Sequence, residues 1–505
     1  MMLPAVVHSD DVSPSTSARI ASFGCWALIT LAATGIAVAA AINPSGPFAA
    51  LGLIGLVFVI SSLSLTRRDA QTVLTLMLIL LFLVPENYVL VGPLRGVGNP
   101  ALLVALFALV LWSAGRVLGL YTATENHPIR WVLLIYAAAG IASFAAAMSR
   151  TLTLSESAGA TRALFALAAA LGISLLAVDG LRERERVETV LQRLVWLGGI
   201  AAFIGILEFA FKGFSYFHAM HLPGLTTTAD FSSGGSRGVL QRIQGAAAHP
   251  IEYAVTLVAL APLALHYALY ADTSRKRQLN AFALLFILVV NPLTVSRSGI
   301  VSLAVGLGVY AAHLSFRARS NGVILGVMGI GLYGAAVPGL LGTLRGLFVN
   351  SAQDPSITAR TEDYARIPGL LNGYELFGRG LGTFQPLSYF VLDNQYLFSL
   401  VEGGIVALIA LIACCIIGFG VSRGIRHRTA DPALRGLGQA LAGGLATFAV
   451  CAGTFDELGF RQAAFTFFLL LGCAGALWSM VRANPKRRRS GELRTHSPAR
   501  KPAVE

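Results

Sequence analysis

Residues 101–112 read ALLVALFALVLW, a stretch with no charge and none of the apolar–polar alternation of a strand. Extended to about twenty residues, such a run makes a helix that crosses about 30 Å of hydrocarbon at 1.5 Å per residue. Lipid offers backbone groups no partner, so a spanning segment must be a helix or part of a closed barrel. A barrel would show segments of about ten residues with period-two alternation, which this stretch lacks. Outward from it, similar runs recur near 20–42, 47–66, 70–85, 100–115, 130–148, 162–178, 188–211, 250–270, 279–295, 298–314, 321–341, 394–420, 434–455 and 461–481. The composition agrees: 55% of the 505 residues are hydrophobic and 12% charged, which leaves too few charges to cover a water-facing globule. The expected fold is an all-α polytopic membrane protein with about fourteen transmembrane helices.

Every second connection is short and rich in arginine. In order these are Arg67-Arg68, the group Arg182, Arg184 and Arg186, then Arg275-Lys276-Arg277, Arg317 and Arg319, and Arg423, Arg426 and Arg428. The run Lys486-Arg487-Arg488-Arg489 follows in the tail. Cations concentrate on cytoplasmic loops, which places these connections and both termini in the cytoplasm. The expected organisation is a cytoplasmic tail over 1–18, helices 1–11 within 19–341, one large extracytoplasmic loop at 342–393, helices 12–14 within 394–481, and a basic cytoplasmic tail at 482–505. The large loop is too long for a mere connector, and its stretch SITARTEDYARIPGLL (356–371) has the pattern of a short amphipathic helix on the membrane surface.

The net charge of +13 comes from arginines spread over many loops and from the tail, so it reads as membrane orientation and lipid anchoring, with no nucleic-acid partner expected. The polar start of the chain lacks a basic n-region with a cleavage site, so 20–42 reads as a retained span. All five cysteines fall in apolar runs, which suits packing, and no metal or other cofactor is expected.

Basic residues on the opposite, extracytoplasmic side break the orientation rule and need a reason: Arg95, Arg150, Arg162, Arg237, Arg242, Arg297, Arg345, Arg360, Arg366 and Arg379. Guanidinium forks suit phosphate oxygens, and snorkelling or capping is the plainer explanation for any one of them. Arg297 stands out because Ser296-Arg297-Ser298-Gly299 joins two apolar runs with hardly any loop, and an arginine that close to lipid must be paired or face a wet cavity. Earlier, Arg242 precedes His249-Pro250-Ile251-Glu252, where proline starts a helix and His249 occupies the cap position, so Arg242, His249 and Glu252 could converge. A third group closes the large loop. Arg360 is followed by Gly378-Arg379-Gly380-Leu381-Gly382-Thr383-Phe384, then by Asp393-Asn394-Gln395-Tyr396 opening a helix that holds Glu402-Gly403-Gly404. The glycine run follows no strand, so a dinucleotide-binding reading fails. Asp393 is placed either to act on substrate or simply to cap the helix. Glu402 sits too deep to pair with Asp393, and Gln395, Ser399 and Glu402 form a polar stripe descending one face, with Glu402 expected to bond another helix.

Taken together, Arg242 to Pro250, Thr294 to Gly299, Arg360 with Gly378 to Phe384, and Asp393 to Leu397 with Glu402-Gly403 resemble the O-antigen ligase and polymerase superfamily of bacterial envelope enzymes, exopolysaccharide polymerases included. The resemblance covers roughly the second half of the chain. It implies a GT-C-like membrane glycosyltransferase of the bacterial inner membrane, metal-independent and inverting. The donor it implies is a polyprenyl-pyrophosphate-linked glycan, which a polymerase passes to another lipid-linked glycan on the outer face. By motif position Arg242, Arg297 and Arg360 would hold the pyrophosphate, and Asp393 would activate the acceptor hydroxyl. His249, Arg379, Asn394 and Tyr396 would contribute to substrate binding, and Glu402 would be structural.

The ligase pattern has His-Asn at the helix start where this chain has Asp393-Asn394, which is closer to exopolysaccharide polymerases. A ligase that moves finished glycan onto a lipid or protein acceptor, and a transporter or flippase without covalent chemistry, are the alternatives. The transporter reading would need polar groups along a path through the bilayer, and Glu208 and Glu402 are the candidates. A chain-length regulator or export complex would be the natural protein partner.

Overall fold

The computed structural model describes residues 70–91, 98–119, 121, 127–211, 213–220, 222–227, 236–237, 240–337, 339–349, 355–386 and 388–483. The expected spans at 20–42 and 47–66, the tail segments 1–18 and 484–505, and Arg95 lie outside the described residues. Two compact units are present. The smaller contributes residues 90–91 and 222–226 to the described chain, where the Val91 amide donates to the Gly224 carbonyl at 3.2 Å; the larger holds the rest.

The larger unit is built from α1 (Ala70–Leu83), α2 (Pro100–Val117), α3 (Pro128–Met148), α4 (Leu154–Gly180), α5 (Arg184–Ala210), α6 (Pro250–Tyr270), α7 (Ser274–Leu293) and α8 (Arg297–Ala311). It continues through α9 (Phe316–Ala336), α10 (Leu340–Val349), α11 (Pro355–Leu371), α12 (Gln395–Arg428), α13 (Pro432–Cys451) and α14 (Arg461–Ala483). Eight of these, α2 to α6 and α12 to α14, are long and apolar enough to cross a membrane, so the chain is a mostly helical multi-pass membrane protein. α1 and α8 are apolar but shorter. The expected span at 321–341 is divided between α9 and α10, since proline at 338 has no amide to continue the ladder and Gly339 takes φ +83°.

The helix starts repeat one device. Asn99, His127, His249 and Asp431 each stand before a proline at the first helical position, and each side chain accepts a hydrogen bond from an amide of the first turn. α4 begins at Leu154, well before the expected 162, because Thr153 and Glu156 form a reciprocal capping box ahead of the apolar run. α6 and α14 are buried along most of their length and form the centre of the bundle. Small residues let backbones approach, as at Gly444 of α13, where a Cβ would come within 2.8 Å of the Ala259 carbonyl of α6. On the outside, Phe107, Trp131, Ile135, Ile409 and Ile416 stand exposed, as suits a lipid-facing surface.

At one end of the bundle Arg130 pairs with Asp179, which also accepts from the Trp112 indole at 2.8 Å, and Arg184 pairs with Asp431 and Glu188. The candidate site residues lie in other loops and helix starts, Arg297 on α8, Arg360 on α11 and Tyr396 and Glu402 on α12 among them.

Candidate functional site

The site end is organised around a break in α12. Gly404 takes φ 64° and ψ −169°, a combination open in practice to glycine alone, so the helical ladder fails across 401–406. In lipid those freed groups must find partners, and the loop from Glu375 to Gly380 supplies them. The amides of Arg379 and Gly380 donate to the carbonyls of Val401 and Glu402, both at 2.9 Å. The amides of Ile405 and Val406 donate to the carbonyls of Glu375 and Leu376 at 2.9 and 3.3 Å. The glycine run is what lets the loop lie this close. Gly378, Gly380 and Gly382 all have positive φ, and a Cβ on them would meet the Glu402 carbonyl, Ala147 and the Gly159 carbonyl within 2.2–2.4 Å. Glu402, buried, accepts from the amides of Gly382 (2.9 Å) and Phe384 (3.0 Å). Its partner is therefore this loop, where the sequence reading expected another helix.

Against the start of α12 the structure gathers four of the sequence motifs. The Arg242 guanidinium donates through Nε to the Thr294 carbonyl at 3.0 Å, at the turn that delivers Arg297 as the first residue of α8. That turn is strained: Val295, a buried β-branched residue, sits at φ +50°. Next to Arg297, the Ser298 hydroxyl accepts from Thr454 Oγ1 at 2.9 Å. Thr454 lies in the loop after α13, and its neighbour Gly453 offers its carbonyl to Asn394 Nδ2 at 3.1 Å. Asn394 also reaches the Tyr364 hydroxyl of α11 at 3.1 Å. α11 is held there because Ile367 packs into a core with Phe384, Leu392 and Val401. Asp363 on the same helix is buried, which pushes its carboxyl above the usual carboxylate range; Arg366 at 3.6 Å opposes the shift and the negative charge of Asp393 adds to it.

The cap of α12 is Asn394, whose Oδ1 accepts from the amides of Tyr396 (3.1 Å) and Leu397 (3.2 Å). This corrects the capping alternative for Asp393: a cap residue itself has extended backbone and its side chain accepts from the first helical amides, and Asn394, at φ −159° and ψ 108°, meets that condition. Asp393 stands one residue outside the helix, half-buried, beside that cap.

The other candidates are placed as follows. His249 caps α6 by accepting from the Ile251 amide at 3.1 Å, and its ring lies against Phe455 and Phe460, with centroids at 5.9 and 6.0 Å. Glu252, buried, accepts from the amides of Ala248 and Gln462, both at 2.9 Å, so it engages α14 while Arg242 engages the α8 turn. The Tyr396 hydroxyl donates to the Ala449 carbonyl of α13 at 2.6 Å, a packing bond between helices. Arg379 lies over the rings of Tyr374 and Tyr389 at 5.4 and 5.2 Å and donates to the Tyr389 hydroxyl at 2.7 Å. Arg360 lies on α11 one turn before Tyr364, and its side chain is outside the described part of the structure.

Several contributors escaped the sequence reading. Glu208, a candidate for a transport path, sits at the end of α5 and accepts from the amides of Tyr216 (2.8 Å) and Gly245 (2.9 Å), which fixes the loop that carries Arg242. Glu86 accepts from the Arg461 amide at 2.8 Å, tying the start of α14 to the end of α1. Glu86 is 375 positions from Arg461 and Glu208 is 37 positions from Gly245, so neither pairing leaves a local pattern that could be read along the chain.

Neither a protein-family model nor a curated protein matches this chain.

Proposed function

We propose that this chain polymerises polyprenyl-pyrophosphate-linked oligosaccharide repeat units into a surface polysaccharide on the extracytoplasmic face of a bacterial inner membrane, as a GT-C-like enzyme of about fourteen spans with both termini in the cytoplasm. The observation that supports this reading is the series of bonds joining Arg242, the Arg297 turn, the loop after α13 and the Asp393-Asn394 helix start at one end of an apolar bundle.

In this scheme Arg242 and Arg297, joined by Arg360 from α11, hold the pyrophosphate of the donor through guanidinium forks. A hydroxyl oxygen of the acceptor glycan attacks the anomeric carbon while the bond from that carbon to the pyrophosphate oxygen breaks. The polyprenyl pyrophosphate leaves with the bonding electron pair, Asp393 takes the hydroxyl proton, and the anomeric centre inverts. A pyrophosphate leaving group needs charge neutralisation more than protonation, and fixed guanidinium groups beside a low-dielectric interior supply it. Strain at Val295 fits a turn whose geometry is set by the substrate it presents Arg297 to. A ligase would use the same chemistry on a different acceptor. A transporter is less well supported, because the carboxylates of Glu208 and Glu402 are both taken up by backbone amides.

The size distribution of glycan in a strain deleted for the gene tests the assignment. Single repeat units accumulating on the carrier lipid, with no polymer, are the expected result. Long polymer that stays unattached would replace the polymerase by a ligase, and repeat units held on the cytoplasmic side would replace both by a flippase.

A further inference from the structure

Beside the start of α12 lies a cavity of about 400 Å³, bounded by α3, α4, α12, α14 and the loops 381–386 and 456–460 and lined by neither Arg242 nor Arg297, a size within the range of ligand sites. It is graded along the bundle axis. Arg162, Gln385, Asp456 and Arg461 stand at the loop end, and the lining then runs inward past Leu167, Phe398, Phe465 and Phe468 to Tyr136 and Ala170. From Gly159 to Ala170 this is about 16 Å along α4 at 1.5 Å per residue. Most polar atoms in the inner part are already spent, the Tyr136 hydroxyl being the exception. Ser143 Oγ donates to the Glu402 carbonyl at 2.8 Å, Gln395 Nε2 donates to Ser399 Oγ at 3.0 Å, and the Glu402 carboxylate holds two loop amides. What remains there for a guest is apolar wall, widened by the small residues Gly140, Ala163, Ala166 and Ala407.

The loop end differs. Arg461 lines the cavity, and its Nη1 is 3.5 Å from Glu86 Oε1. Arg162 is exposed and makes no hydrogen bond or ion pair among the described residues. A free sugar is a poor match for this shape, since its many hydroxyls would find little beyond the Tyr136 hydroxyl in the inner part. An amphiphile fits: hydrocarbon inward, anionic head at the arginines.

We infer that this cavity binds the hydrocarbon chain of a lipid whose phosphate or pyrophosphate head is held by Arg162 and Arg461, a lipid site whose lining includes neither Arg242 nor Arg297. A cavity of this size encloses only part of a long chain. Assigning the occupant as the second of two lipid-linked substrates rests on the polymerase reading; a phosphate-headed lipid in the cavity does not. A reaction that joins two lipid-linked glycans needs two lipid sites.

The test uses the full chain in phosphatidylcholine vesicles with a photoreactive polyprenyl phosphate, and maps the labelled residues. Label on α3, α4 and α14 residues of the cavity is expected. It should fall about ten-fold in Arg162→Gln, the loss of one charge-assisted hydrogen bond, and also in Ala166→Leu, which fills the wall. Arg162 is exposed, so its variant keeps the fold even if Ala166→Leu does not. Equal labelling in Arg162→Gln and wild type overturns the site. Displacement by phosphatidylglycerol at equal mole fraction overturns the substrate assignment, because the occupant is then an ordinary bilayer phospholipid. Normal polymer in Arg297→Ala with cavity labelling intact would instead strike the polymerase reading and leave the lipid site standing.

Discussion

Arg297→Ala is expected to stop glycan chain growth, with a rate loss of about a hundred-fold or more, the effect of removing one donor that stabilises developing negative charge. The guanidinium is placed with care: a strained turn at Val295 starts α8, Arg242 braces that turn through the Thr294 carbonyl, and Ser298 is bonded to the loop beside Asn394. Arg297→Lys should recover only part of the activity, because an ammonium keeps the charge but loses the two-pronged fit to phosphate. The bonds that link Thr294, Ser298, Thr454 and Asn394 are made by groups other than the Arg297 side chain, and the amount of protein in the membrane is measured alongside the glycan. The polymer ladder from cells, normalised to protein amount, checks both points, and a normal ladder in Arg297→Ala would remove this residue from the reaction.

The largest structural effect is expected at Gly404. Alanine there would have to occupy φ 64°, ψ −169°, and its Cβ would lie 2.2 Å from the Leu376 carbonyl. Either the helix rewinds through the break or the loop is pushed away, and both outcomes release the amides and carbonyls that 375–380 and 401–406 now exchange. The cost is about 3 kcal/mol or more, combining a glycine-only conformation with backbone overlap. Gly404→Ala should therefore lower the midpoint of heat denaturation in detergent and lose activity with it, whereas Gly420→Ala on the same helix, where a Cβ meets nothing within 4 Å, should change neither.

Eight of the expected spans were legible because lipid allows the backbone so few solutions; the other apolar runs within the described chain are helical too, the one at 321–341 divided between α9 and α10. Their ends were less so. α4 begins at Leu154 and α12 runs on to Arg428, because capping and polar turns carry a helix past the hydrocarbon whose thickness set the expected length. The amphipathic stretch of the large loop is a helix, α11, since the apolar positions that docked it could be counted. Glu402-Gly403-Gly404 was noticed as a motif without its consequence; two adjacent glycines in mid-helix are the local sign of a break, but the loop that repairs it is brought there by the fold. The same holds for the cap of α12, where Asp393 and Asn394 are equally able cap residues by type and the backbone decides for Asn394. Arg242, Arg297 and Asn394 could be picked out one by one. Their linkage through Gly453 and Thr454 could not, because it uses a backbone carbonyl and a hydroxyl in a loop that no charge or motif marks.

The most direct test of the central claim is reconstitution of the purified full chain in vesicles with a single polyprenyl-pyrophosphate-linked oligosaccharide as both donor and acceptor. The account predicts a ladder of longer lipid-linked glycans with one polyprenyl pyrophosphate released per new linkage, and no ladder with Arg297→Ala. Vesicles that hold folded wild-type protein and return the oligosaccharide unchanged in size would contradict it.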